Sequence, residues 1–174
     1  VTDRTILSEG YEKDLELRPL QVHELESAYG LELSCYPSEA AATLEAFSFR
    51  QKHFSDYFWS AWSANRLVGL ACGVRTVESV LEEDAVKHAH SAQAEGMHLC
   101  VLSVAVDREA RRIGLGSALV DKLLQQAKKD KLKTVFLMCE AHLIDFYRKH
   151  GFNYIGISPS QHGGIEWHEM RLIL

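Results

Sequence analysis

Along the chain the spacing of apolar positions switches repeatedly between the two-residue repeat of strands and the three-to-four-residue repeat of helices. Leu15-Glu16-Leu17-Arg18-Pro19-Leu20 alternates apolar and polar residues, which predicts a first strand stopped at Pro19. From about Val22 to Leu33, Leu25, Ala28, Tyr29 and Leu31 fall on one side of a helix. Tyr36-Pro37-Ser38 breaks the pattern, and Ser38 is placed to cap a second helix running to about Lys52. Tyr57 to Trp62 and Leu67 to Val74 read as strands, joined through Ser63-Ala64-Asn65-Arg66 in an antiparallel hairpin.

Residues 77–97 are acidic and then rich in Ala and His, which predicts a short helix and a surface excursion. Leu99 to Val106 is uninterruptedly apolar, as in a strand covered on both faces. After the polar turn Asp107–Ile113, Leu115, Leu119, Val120, Leu123, Leu124 and Ala127 form one helical stripe. Thr134 to Cys139 predicts a buried strand and Ala141 to His150 a short helix. Phe152–Ile157 and Trp167–Ile173 predict a final antiparallel pair. Residues 1–13 read as a loosely held polar leader to one α/β domain, a mixed sheet with helices on both faces.

Composition narrows the function classes. With 47% hydrophobic and 25% charged residues, the chain has the makeup of a globular protein. A formal charge of −5 without a basic stripe argues against nucleic acid as a partner. No apolar run reaches the ~20 residues of a membrane span, and the charged start lacks a signal-peptide core. A cytoplasmic protein is expected. Cys35, Cys72, Cys100 and Cys139 lie far apart beside apolar residues, so they read as buried thiols of a reducing compartment. His88, His90 and His98 lack a companion carboxylate motif, and no metal is expected.

The chemistry concentrates in residues 102–124, LSVAVDREARRIGLGSALVDKLL. A buried strand leads to a turn with Gly114 and Gly116, and an amphipathic helix follows. Glycines let backbone N–H groups approach a phosphate, and a helix start adds free donors and partial positive charge. Arg111 and Arg112 stand beside this turn. A plain strand–turn–helix is the competing explanation. No Gly-Lys-Ser/Thr follows, which removes the P-loop, and the glycine spacing is not that of a dinucleotide fold.

Arg-x-x-Gly-x-Gly after an apolar strand resembles the acyl-CoA signature of the GNAT superfamily of N-acetyltransferases. Residues 135–152, VFLMCEAHLIDFYRKHGF, resemble the arylalkylamine (serotonin) N-acetyltransferase family, as does the stretch from Tyr36-Pro37 to Arg50. The resemblance implies the acyl-CoA N-acyltransferase fold, a central twisted sheet of about seven strands with helices on both faces. It implies acetyl-CoA as co-substrate and a small primary amine, an arylalkylamine or polyamine, as acceptor, in a monomer or homodimer. Val104, Ala105 and Val106 would hold the pantetheine arm through their backbone. Arg111, Arg112, Ile113, Gly114, Leu115, Gly116 and Ser117 would hold the pyrophosphate. Tyr36, Val104 and Met138 would line the acceptor pocket, and Tyr147 would protonate the departing thiolate.

One part of the family pattern is missing. The two histidines that serotonin N-acetyltransferases carry on the strand before the cofactor align with Cys100 and Leu102. An alkylammonium with a pKa of roughly 10.4 must lose a proton before it attacks. His98, in phase with Cys100 and Leu102, and Glu39, beside the acceptor motif, are the candidate bases, with a path of ordered water as the other possibility. Ser103 falls on the opposite face of a regular strand. Tyr36, Phe47, Phe54, Phe58, Trp59 and Trp62 are candidates for an aromatic substrate cage. A protein or peptide acetyltransferase and a non-catalytic CoA-binding domain remain as alternatives.

Overall fold

The computed structural model describes residues 15–77, 92–160 and 162–174. The polar leader of 1–13 and most of the 77–97 segment lie outside the described residues. A seven-stranded sheet runs in the order β1-β2-β3-β4-β5-β7-β6. Its strands are β1 (Leu15–Pro19), β2 (Phe58–Ser63), β3 (Arg66–Thr76), β4 (His98–Val106), β5 (Thr134–Cys139), β6 (Asn153–Ile157) and β7 (His168–Ile173). Among the described strands only β4 and β5 are parallel, and they are joined through helix α3 (Leu115–Lys129). The remaining helices are α1 (Leu25–Cys35), α2 (Leu44–His53) and α4 (Ile144–Lys149).

Ala64 and Asn65, with φ of 47° and 67°, turn β2 into β3. Two consecutive positive φ values match the right-handed twist of the flanking strands. The predicted stripe of α3 is buried in full against one sheet face. Ala28 and Leu31 of α1 and Phe47 of α2 pack on the other, around Phe58, Leu70 and Ala105.

Three expectations are corrected. The second helix starts at Leu44, not near Ser38, because the Pro37 carbonyl accepts from both Ala40 and Ala41 N–H at 2.9 Å and closes a separate turn. Its cap is Thr43, whose hydroxyl accepts from Ala46 N–H at 3.1 Å. Tyr57 belongs to a 3-10 turn before β2, and its hydroxyl donates to Asp130 at 2.6 Å.

The third correction is a bulge in β4. The register passes from Cys72↔Ser103 directly to Gly73↔Val101, leaving Leu102 as an extra residue. Side chains alternate along a strand, so the insertion reverses the phase. Ser103 therefore shares a face with Cys72, Cys100 and His98, on the side of α1 and α2.

Candidate active site

β4 and β5 pair only over His98–Val101 and Thr134–Leu137. Beyond that they diverge, and a cleft of about 610 Å³ opens between the far half of β4, the turn before α3 and helix α4. Parallel strands that part leave an edge of backbone groups facing the gap. The carbonyls of Val104 and Val106 mark which groups these are. Val104 accepts from the Tyr36 hydroxyl at 2.7 Å, and Val106 accepts from Arg111 Nε at 3.0 Å. N–H and C=O of one strand residue point to the same edge, so the N–H groups of Val104 and Val106 face the gap and those of Ala105 face β3.

The turn after β4 is an anion cradle. Arg112 and Gly114 have φ of 67° and 81°, both left-handed, and such alternation turns successive N–H groups toward one point. Gly114 caps α3 without a side-chain bond, so the donors of the first helical turn remain open. Arg111, Arg112, Gly114, Leu115, Gly116 and Ser117 line the cleft. Ile113 does not; its side chain enters the core. Ser117 Oγ lies 3.2 Å from His150 Nε2, and His150 Nδ1 lies 3.1 Å from Asp121. This set of donors fits a pyrophosphate.

A second, smaller pocket of about 50 Å³ continues from the cleft between β4 and β5. Tyr147, on α4, lines both, as do Tyr36, Val104 and Glu140. Tyr147 is 5% exposed, its ring packed edge-on against Phe146 and Phe152. Burial, then the neighbouring Cys139, pushes its phenol well above the usual tyrosine range, so it is protonated at neutral pH. Tyr36 is raised too, by burial and then by Glu32. Met138 lines the small pocket, its sulfur accepting from Ser158 Oγ at 3.0 Å.

The two sequence-derived bases are not in this place. His98 sits at the opposite end of β4, its Nδ1 against Thr134 Oγ1, and lines neither cavity. Glu39 is exposed on the turn after Pro37, outside any helix. The carboxylates that line the small pocket are Glu32 and Glu140. Glu32, 2% exposed on α1, accepts from Ser103 Oγ at 3.1 Å and Ala42 N–H at 2.8 Å. It occupies the inward stripe of Leu25, Ala28 and Cys35, and a charge on such a stripe is the sequence signal that identifies it.

The aromatic cage also dissolves. Phe47, Phe54 and Phe58 are core, Trp59 lies near Lys122 and Trp62 near Arg18. Only Tyr36 of that set reaches the small pocket, where Trp167 joins it unforeseen. Cys139 is raised to about 11, by burial and then Glu140, which keeps it a thiol and a poor nucleophile.

A family model for the acetyltransferase (GNAT) family matches residues 22–152. The chain belongs to the GNAT acetyltransferase family. An uncharacterized N-acetyltransferase ycf52 of Pyropia yezoensis is 27% identical over 67 residues, and the match spans 38% of each protein. The loading GNATL domain of CurA from Lyngbya majuscula superposes with a TM-score of 0.83 at 14% identity, covering 91% of this chain and 97% of that one. The ribosomal-protein-S18-alanine N-acetyltransferase of Escherichia coli superposes with a TM-score of 0.67 at 21% identity, covering 91% and 93%. At such identities the structures establish the mixed α/β GNAT fold alone. The matching family model is that of acetyltransferases. Among the described residues no helix is long and apolar enough to cross a membrane.

Proposed function

We propose that this protein transfers acetyl from acetyl-CoA to the nitrogen of a small primary amine, by direct attack and without an acyl-enzyme intermediate. The observation that carries this reading is Tyr147, whose side chain stands where the large cleft meets the small pocket. The thioester would lie at that junction, pantetheine along Val104 and Val106 and pyrophosphate at the turn through Ser117. As the amine nitrogen bonds to the carbonyl carbon, negative charge grows on the carbonyl oxygen, and a β4 N–H facing the gap stabilises it. Collapse expels the thiolate, and the Tyr147 phenol supplies its proton. The incoming ammonium gives one proton to a pocket carboxylate, Glu32 or Glu140, in place of His98 or Glu39, and the second leaves the nitrogen as the amide forms and restores the Tyr147 phenol.

A loop-to-loop contact at Ala40, on the wall of the small pocket, favours a small acceptor over a polypeptide. His162 Nε2 lies 3.0 Å from the Ala40 carbonyl, tying the α1–α2 loop to the β6–β7 loop above the sheet. Gly163 packs so closely that an added Cβ would stand 2.8 Å from that of Ala40. An arylalkylamine or a polyamine, in a monomer or homodimer, agrees with the sequence resemblance. The test is acetyl-CoA consumption against amines and N-terminal peptides, alongside the thermal shift induced by acetyl-CoA. Transfer to small amines is expected. Transfer only to peptides would reassign the acceptor, and a thermal shift without turnover would mark a non-catalytic CoA-binding domain.

A further inference from the structure

Behind the small pocket lies another cavity of about 70 Å³, which shares Glu32, Ala40, Leu102 and Ser103 with it. Its far wall is the first turn of α2, at Thr43 and Ala46, together with Arg50 and His162. Arg50 is 4% exposed. Its hydrogen bonds among the described residues both use Nη1, to Cys72 Sγ at 3.6 Å and Ser103 Oγ at 3.4 Å, and both are long. The guanidinium also lies 5.6 Å from the Phe47 ring centroid. Ser103 links this guanidinium to the Glu32 carboxylate, and the planar fork still offers Nε and Nη2 to a further anion in the cavity. The positive end of α2 reinforces that preference. Glu32 stands between this wall and the Tyr147 end, held by Ser103 and Ala42.

We propose that this cavity is the subsite for a carboxylate carried by the acceptor, bound by Arg50, so that the acceptor is an amino acid and not a simple alkylamine or polyamine. The inference rests on the acetyltransferase reading above and specifies its acceptor. The order of charges suits a zwitterion: an amine end beside Glu32 and Tyr147, an anionic end against Arg50. Planar bidentate pairing of guanidinium with carboxylate gives orientation as well as affinity. A polyamine would instead place its second ammonium against a guanidinium, and that repulsion selects against it.

Matched acceptor pairs test this: phenylalanine against phenylethylamine, and β-alanine, 4-aminobutyrate and 5-aminopentanoate against the alkylamines lacking the carboxylate. With acetyl-CoA, the best-spaced carboxylate acceptor is expected to exceed its partner in kcat/KM by about 10-fold or more. Arg50→Met should cost that acceptor roughly 10–100-fold more in kcat/KM than it costs the matched amine. Arg50→Lys, which keeps charge but not the fork, should recover part of the loss and serves if Arg50→Met does not fold. Equal losses for both members of a pair, or no carboxylate acceptor surpassing its partner in the unaltered protein, would overturn the subsite alone. No transfer to any amine would overturn the acetyltransferase reading, and this inference with it.

Discussion

The Tyr36 hydroxyl donates to the Val104 carbonyl at 2.7 Å, joining the end of α1 to the unpaired edge of β4. One strand residue thereby has its carbonyl occupied by protein and its N–H left for a ligand. The bond also fixes where the α1–α2 loop begins. Tyr36→Phe should cost about 1 kcal/mol of stability, the worth of one hydrogen bond, and raise KM for the amine more than for acetyl-CoA. Thermal denaturation and steady-state kinetics on both substrates check it. A larger rise for acetyl-CoA would assign Tyr36 to the coenzyme side.

Tyr147→Phe keeps the ring packing and removes only the hydroxyl. The expected result is a kcat lower by about 100-fold or more, with acetyl-CoA affinity unchanged by calorimetry. An unaltered kcat would take Tyr147 out of the reaction.

The turn before α3 offers a test of the phosphate site. Gly114 has a φ of 81°, so an added Cβ is strained there by roughly 1 kcal/mol. Gly114→Ala should lower stability by about that amount and weaken acetyl-CoA binding several-fold, without altering the acceptor preference. Arg112, also left-handed at 67°, should tolerate Gly without loss of stability, though with weaker binding if its charge meets the pyrophosphate.

His98 predicts a pH effect on stability and none on catalysis. Burial first, then Lys133 and Arg171, lowers its folded pKa below the ordinary value. As pH falls through about 6.5, the unfolded chain takes up the proton before the folded one does. Its contribution is therefore intact above the unfolded pKa and is lost as pH falls toward the folded value. His98→Gln should flatten that acid limb in urea titrations while leaving the pH profile of kcat/KM where it was. A shifted kinetic profile would restore His98 as the base.

The parts of this molecule legible in the sequence are those with a strong local signal. The stripe of α3 and the glycine-bearing turn ahead of it could be read directly, because periodicity and backbone freedom act over a few residues. LCVLSVAV carries no period, so nothing in it reveals that Leu102 is surplus. Glu32 was passed over in favour of His98 and Glu39, because its value depends on Ser103 arriving from 71 residues away. The contact between Ala40 and His162 spans 122 positions and two loops, where sequence pattern has no purchase. The Ser38 expectation failed more locally: Pro37 closes a separate turn onto Ala40 and Ala41, and Thr43 caps the helix instead.

The extra residue in β4 acts on the strand as a one-base insertion acts on a reading frame. Everything downstream is displaced by half a period, so Ser103 faces the acceptor helices and Val104 faces the α3 side. Deleting Leu102 would restore an unbroken alternation and, with it, turn the outer half of the strand over. Substitution at that position is a matter of size and polarity, whereas a change in chain length there would exchange the two walls of the cleft.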